Sequence, residues 1–219
     1  MIAVIDYGAG NLASVRRGLV VAAQVVCSAV GERAPAVRVT GDPAVVADAM
    51  AVVLPGVGAF GDAVTELRRC GLEDAIAEAF IGPRPFLGIC LGLQILFPSS
   101  EESPGIPGLG LVSGSVRRFR DVPKVPHMGW NQLEAIEPNA LLRGIPDPSY
   151  AYFVHSYYAD PDDSSLVTSW SEYGGRFCSS IGTGTAFACQ FHPEKSQRVG
   201  LRILQNFVRV TIHAADPSD

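Results

Sequence analysis

Short apolar runs of strand length alternate with longer mixed segments through the first half of this chain. Residues 2–5, 50–54 and the run that ends at Gly88 are continuously apolar, and residues 36–40 alternate. Continuous apolar runs of this length are typical of strands buried on both faces of a parallel sheet. The segments between them predict helices over residues 12 to about 26, 62–69 and 72–80, and Asp42-Pro43 predicts the start of another helix.

The second half of the chain has a different texture. Residues 98–107 are rich in Pro, Ser and Glu, and residues 110–112, 115–119, 150–154, 166–170 and 179–181 then predict strands. Residues 182–184 predict a hairpin turn, and residues 126–131 predict a loop. A helix from about 196 to 213 carries an apolar stripe. We therefore expect an α/β fold, an open and mostly parallel sheet flanked by helices, with an antiparallel elaboration in the second half. Residues 26–37, which contain Gly31, predict a surface insertion.

Composition supports one domain over residues 1–219, because 219 residues with 47% hydrophobic content can bury a full sheet. The net charge of −5 is spread without a long run, so neither a nucleic-acid groove nor a membrane patch is expected. We see no apolar run of membrane-spanning length and no leader segment, and expect a cytoplasmic protein. The five cysteines are widely spaced and form no C-x-x-C pair, which argues against a disulfide framework or a metal site.

The segment Gly88-Ile89-Cys90-Leu91-Gly92 has the spacing of a nucleophile elbow, with cysteine in the reactive position. Glycines are expected on both sides because side chains there would collide with neighbouring elements. The amides of the next helix, predicted to run to residue 97, and its positive end would face the sulfur. The alternative is that Cys90 is a small core residue.

The segment Gln190-Phe191-His192-Pro193-Glu194 follows another apolar strand. A cysteine nucleophile needs a base, and the base needs a third group to orient its ring. His192 and Glu194 can supply these two roles. The alternative is a solvated histidine beside a surface carboxylate in a turn.

Together these two motifs resemble the class I, or triad, glutamine amidotransferases, and residues 54–61 match that family's oxyanion loop. The resemblance implies a flavodoxin-like fold and hydrolysis of glutamine to glutamate and ammonia through a thioester on Cys90. No cofactor or metal is implied. His192 and Glu194 would complete the triad, and the oxyanion would be held by backbone amides of Leu91 and of the Gly56-Val57 region. Gln94, Ser156 and Tyr157 would hold the amino-acid head group.

Residues 6–11, 126–131 and 152–158, with Lys195, are similar to one branch of that family, the glutaminase subunits of imidazole glycerol phosphate synthase. The resemblance implies a heterodimer with a cyclase subunit, a (β/α)8 barrel. That subunit uses the ammonia to make imidazole glycerol phosphate and AICAR in histidine biosynthesis. It also implies that the partner side of the chain carries Asn11, Trp130, Asn131, Tyr152 and Lys195. A flip of the Gly56-Val57 peptide would let the partner control the glutaminase.

Three alternatives remain at this point. The glutaminase could serve another synthase, of the anthranilate, carbamoyl phosphate or guanylate type. The chain could be a catalytically silent scaffold, or a stand-alone cysteine hydrolase or peptidase.

Overall fold

The computed structural model describes residues 1–135 and 139–215. The strands are β1 (Ile2–Ile5), β2 (Val37–Thr40), β3 (Ala51–Gly56), β4 (Phe86–Cys90), β5 (Gly114–Arg118), β6 (His127–Ala135), β7 (Ser149–His155), β8 (Tyr157–Pro161), β9 (Val167–Glu172), β10 (Arg176–Thr183) and β11 (Ala186–Cys189). The helices are α1 (Leu12–Val30), α2 (Pro43–Ala47), α3 (Phe60–Arg69), α4 (Glu73–Ile81), α5 (Leu91–Gln94) and α6 (Gln197–Ala215).

The strands form one nine-stranded sheet in the order β2-β1-β3-β4-β11-β10-β9-β6-β7, and β5 pairs with β8 in a separate two-stranded sheet. From β2 to β11 all neighbouring pairs are parallel. From β11 to β7 they are antiparallel. The order of the first strands is that of a flavodoxin-like doubly wound sheet. The expected fold, a parallel half followed by an antiparallel elaboration, is therefore confirmed.

Helices cover both faces of this sheet. One apolar cluster joins residues of α2, α3 and α4 to the sheet, and a second joins α1 and α6 to its other face. The predicted cap is present, because the Asp42 side chain accepts a hydrogen bond from Ala44 N and Pro43 opens α2. Ile203 and Phe207, from the predicted stripe of α6, are fully buried.

Helix α1 requires a correction to the sequence prediction about membrane-spanning segments. Within the described ranges, it is the one helix long and apolar enough to cross a membrane by length and composition. Its inner face, which includes Val15, Leu19 and Val26, packs in the core cluster with α6. This burial is what a helix layered on a sheet requires.

Two local predictions were wrong. Residues 126–131 were expected as a loop, but β6 starts at His127 and pairs with β7 from His127 to Leu133, accommodating Gly129 at φ +133°. Residues 110–112 form no strand, because the amides of Leu111 and Val112 bond to Leu96 O instead. In the segment predicted as a surface insertion, α1 continues to Val30, Gly31 caps it in a left-handed conformation, and the remaining residues connect it to β2.

Candidate active site

The candidate site lies where three neighbouring parallel strands end. β4 is the central one of the three, with β3 on one side and β11 on the other. The register pairs Gly56 with Cys90 and Ile89 with Cys189, so the three strands end side by side. Carboxyl ends of parallel strands are the usual location of ligand sites in open α/β sheets. The Gly56-Val57 segment, Cys90 and the His192 segment therefore meet at one sheet edge.

Cys90 sits on a strained turn between β4 and α5. Its backbone has φ +56° and ψ −108°, a conformation that non-glycine residues rarely adopt. The flanking glycines are sterically required: a Cβ on Gly92 would overlap Leu54 O, and one on Gly88 would lie 2.8 Å from Gly92 O. The sequence prediction of close approach at both glycines is confirmed.

The helix after Cys90 is shorter than predicted. α5 is a single turn, Leu91–Gln94, and the chain then continues through turns to Phe97. A one-turn helix has a small macrodipole. The electrostatic contribution at Cys90 therefore comes from individual backbone amides, such as that of Leu91, more than from a long helix.

His192 and Glu194 form a buried pair. His192 Nδ1 lies 2.8 Å from Glu194 Oε1, and the two side chains are only 3% and 2% exposed. His192 Nε2 is buried and has no hydrogen-bond partner among the described residues. Both the solvated-histidine alternative and a surface position for Glu194 are excluded by this burial.

The charge state of His192 follows from its surroundings. Burial lowers its pKa, whereas the neighbouring Cys90 and the hydrogen bond and charge of Glu194 raise it, with a net result of about 9. The imidazole is therefore mostly protonated at neutral pH. A ring held in that state can donate a proton from Nε2 toward the cavity.

A cavity of about 380 Å³ brings the predicted groups together. Its lining includes Cys90, Leu91, Gln94, Ser156, Tyr157, His192 and Val57. Gln94 is buried, with 5% of its surface exposed. Its Nε2 donates to Tyr157 O at 2.9 Å and to Gln190 Oε1 at 3.0 Å. Both amide protons are thus used, so Gln94 Oε1 is the atom left for a ligand.

The Gly56-Val57 region lies directly beside Cys90. A Cβ on Gly56 would overlap the Tyr7 hydroxyl and come within 2.9 Å of Leu91 Cβ. Glycine at this position therefore lets the backbone of this region approach both residues. The Tyr7 hydroxyl is buried without a hydrogen-bond partner in the described part of the chain, and burial followed by the charge of Cys90 raises its pKa.

Two polar residues of the site were missed from the sequence. Glu102 lines the cavity, and its Oε2 accepts a hydrogen bond from Phe60 N at 2.7 Å. It lies in the segment rich in Pro, Ser and Glu. The position of this segment soon after Cys90 in the chain was the one feature of the sequence that could have indicated Glu102. Gln190 is fully buried and donates from Nε2 to Cys90 Sγ at 3.6 Å. It belongs to the quoted histidine motif, where only His192 and Glu194 were assigned roles.

Most residues predicted for the partner side form one patch. Trp130 pairs with Tyr152 across β6 and β7, with ring centroids 6.2 Å apart, and Lys195 Nζ lies 5.8 Å from the Tyr152 ring centroid. Trp130 is 48% exposed. Asn11 caps α1. Asn131 donates to Glu172 O at 2.9 Å, so part of its side chain is used within the fold.

Comparison with known proteins adds to this geometry. Residues 3–210 match the family model described as Glutamine amidotransferase class-I. The chain is 48% identical to "Imidazole glycerol phosphate synthase subunit HisH" of Syntrophotalea carbinolica, covering 94% of this chain and 98% of the relative. It is 46% identical to the protein of the same name from Methanothermobacter thermautotrophicus, covering 96% and 98%.

Solved structures with low sequence identity share the fold. A glutamine amidotransferase from Thermotoga maritima superposes with a TM-score of 0.62 at 19% identity, covering 100% of this chain and 85% of the other. The glutaminase domain of Trypanosoma brucei CTPS, with bound acivicin, gives 0.64 at 13% identity and covers 100% and 94%.

Proposed function

Since this chain belongs to the class-I glutamine amidotransferase family, we propose that Cys90, His192 and Glu194 are its catalytic residues. The chain is the glutaminase subunit of imidazole glycerol phosphate synthase, an enzyme of histidine biosynthesis. The assignment of these residues rests on the buried His192–Glu194 pair. His192 and Cys90 line the same cavity. We treat residues 1–219 as one domain.

The reaction begins with attack of the Cys90 sulfur on the amide carbon of glutamine. The tetrahedral oxyanion is held by the Leu91 amide and by one amide of the Gly56-Val57 region. His192 carries the proton given up by Cys90 and donates it from Nε2 to the leaving nitrogen. Ammonia departs, a thioester remains, and water hydrolyses it to glutamate. Glu194 keeps the His192 ring oriented through Nδ1 and stabilises its positive charge.

Glutamine binding uses the polar groups around the cavity. Gln94 Oε1 and the Glu102 carboxylate are acceptors, which suits the α-ammonium group of the substrate. The backbone of Ser156 and Tyr157, on the same cavity wall, holds the rest of the head group. The site thus recognises a free amino acid by its charged end and presents its amide to Cys90.

The ammonia passes to a cyclase subunit in a heterodimer. The names of the relatives describe subunits of a synthase, which supports a partner. Asn11, Asn131 and the patch of Trp130, Tyr152 and Lys195 form the contact surface, since exposed aromatic and cationic side chains are common anchors of interfaces. The cytoplasm is the compartment that fits free thiols, and all five cysteines are free.

Trapping the intermediate tests the catalytic assignment. Mass spectrometry of rapidly quenched protein with glutamine should find a glutamyl adduct on the peptide that contains Cys90. Cys90→Ala should abolish the adduct. It should lower the rate of glutamate release by roughly 10⁶-fold, the effect of removing the nucleophile in subtilisin. Cys70→Ala, at the end of α3, is the matched control and should behave like the unchanged protein. An adduct on another cysteine would contradict the assignment.

A further inference from the structure

Three buried polar side chains beside the site have no part in the mechanism so far. His127 is 4% exposed, His155 is 6% exposed and Gln190 is fully buried. Buried polar groups are costly unless they are hydrogen-bonded. Their partners therefore indicate what they do.

The two histidines belong to one row of hydrogen bonds. Asn131 Nδ2 lies 3.2 Å from His127 Nε2, and His127 Nδ1 lies 3.0 Å from His155 Nε2. His155 Nδ1 lies 2.8 Å from Tyr157 O. The row thus runs from strand β6 to the backbone of a residue that lines the cavity.

The same carbonyl continues the row to the nucleophile. Tyr157 O also accepts from Gln94 Nε2 at 2.9 Å, and Gln94 Nε2 donates to Gln190 Oε1 at 3.0 Å. Gln190 Nε2 then donates to Cys90 Sγ at 3.6 Å. One continuous set of bonds therefore joins the histidine pair to the substrate-binding amide and to the reactive sulfur.

The direction of every bond in the histidine part is fixed. A carbonyl only accepts, so His155 Nδ1 must donate to Tyr157 O, and in a neutral ring Nε2 is then an acceptor. His127 Nδ1 must donate to it, which leaves His127 Nε2 to accept from Asn131 Nδ2. The orientation of Asn131 agrees, because its Nδ2 also donates to Glu172 O and its Oδ1 accepts from Gln132 N.

Aromatic rings surround the pair and keep it neutral. Tyr173 stacks on His127 with centroids 4.1 Å apart, and Phe119 packs 5.2 Å from His155. Burial lowers the pKa of His127 to about 4 and is the main cause that lowers the pKa of His155 to about 3. A second proton, on Nε2 of either ring, would place two hydrogen-bond donors against each other. Only the arrangement with one proton per ring, on Nδ1, therefore satisfies the row.

We propose that His127, His155 and Gln190 are positioning residues for the glutaminase reaction. The histidines fix the Tyr157 carbonyl, which fixes the Gln94 amide so that its oxygen faces the substrate. Gln190, oriented by Gln94, holds the sulfur of Cys90. This inference rests on the proposed function, because it assigns roles in the same reaction.

Replacing His155 by two different amides separates the contacts. In His155→Asn the amide nitrogen can occupy the place of Nδ1 and still donate to Tyr157 O. In His155→Gln the longer side chain reaches the place of Nε2 and leaves Tyr157 O without that donor. We expect His155→Gln to raise KM for glutamine about tenfold with a smaller change in kcat, since one buried hydrogen bond is lost. His155→Asn should stay within about threefold. His213→Asn, on the exposed end of α6, is the control.

Gln190 gives the opposite kinetic pattern. Gln190→Met removes, at similar volume, both the donor to Cys90 Sγ and the acceptor for Gln94 Nε2. Gln94 keeps its bond to Tyr157 O, so kcat should fall about tenfold while KM changes less. Equal KM values for His155→Gln and His155→Asn, or an unchanged kcat for Gln190→Met, would overturn the proposed roles. If the unchanged protein releases no glutamate with any synthase partner, the proposed function fails instead.

A spectroscopic measurement decides the geometry even if a variant fails to fold. ¹⁵N NMR of histidine-labelled protein at pH 7 distinguishes which ring nitrogen carries the proton, and single replacements assign the signals. We expect Nδ1–H, with an unprotonated Nε2, for both His127 and His155. A proton on Nε2 of either ring would contradict the row of bonds.

Discussion

Replacing Glu194 by glutamine removes the charge that supports His192 and keeps the size of the side chain. Glu194 Oε1 now accepts from His192 Nδ1 at 2.8 Å in a buried pair. A glutamine can still accept there through its oxygen, but it no longer stabilises the imidazolium, and its NH₂ group favours the wrong ring tautomer. By the behaviour of the corresponding amide replacement in a serine protease, we expect kcat to fall about 10⁴-fold.

The same replacement should change how stability depends on pH. The pKa of His192 is raised from 6.5 to about 9, which corresponds to about 3 kcal/mol of folding free energy at about 1.36 kcal/mol per pH unit. Because the folded-state pKa is the higher one, this contribution is complete below about pH 6.5 and is lost as pH rises through 9. Cys90 also helps to raise the pKa of His192, so Glu194→Gln should lower the free energy of unfolding by at most this amount.

Urea unfolding at pH 6.5 and pH 10, with kcat measured at pH 7.5, tests both expectations. At pH 6.5 the free energy of unfolding should be lower for the variant than for the unchanged protein. This difference should shrink by pH 10. Glu73→Gln, which removes a surface ion pair with Arg68, is the control and should show neither effect. A kcat within tenfold of the unchanged protein, or an equal stability difference at both pH values, would refute the role of Glu194.

Three further predictions concern the partner patch, the substrate and the elbow. Trp130→Ala should weaken cyclase binding about 30-fold in calorimetric titration, the effect of losing an interface anchor. The melting temperature should stay unchanged, and an unchanged affinity would contradict this contact surface. Glu102→Gln should raise KM for glutamine about tenfold by losing a charged contact, and an unchanged KM would remove Glu102 from substrate binding. Gly92→Ala should destabilise far more than Gly184→Ala, because its Cβ would overlap Leu54 O whereas Gly184 has only its φ of +56° to lose; similar losses in urea unfolding would refute that steric reason.

The parts of the fold set by local pattern could be predicted. Continuous apolar runs predicted the parallel strands, and Asp42-Pro43 predicted the start of α2. The stretch 126–131 was predicted as a loop. Its proline and glycine disfavour strands locally, yet pairing with β7 overrides that preference.

The candidate site likewise contains residues that the sequence could indicate and residues that it could not. Cys90 and His192 stand in motifs whose spacing indicates their chemistry, so the sequence alone is enough to propose them. The partnership of His155 with Tyr157 O, or of Gln190 with Cys90, depends on the register of strands distant in sequence. The position of Glu102 on the cavity depends on its contact with Phe60 N, 42 residues away. Such contacts have no periodic signature in the chain.

The most direct test of the account is glutamate release from glutamine by the purified chain. It should be measured alone and with an imidazole glycerol phosphate cyclase subunit and its nucleotide ligand. Release should rise strongly with both present and disappear in Cys90→Ala. Release that ignores this cyclase, or that persists in Cys90→Ala, would contradict it.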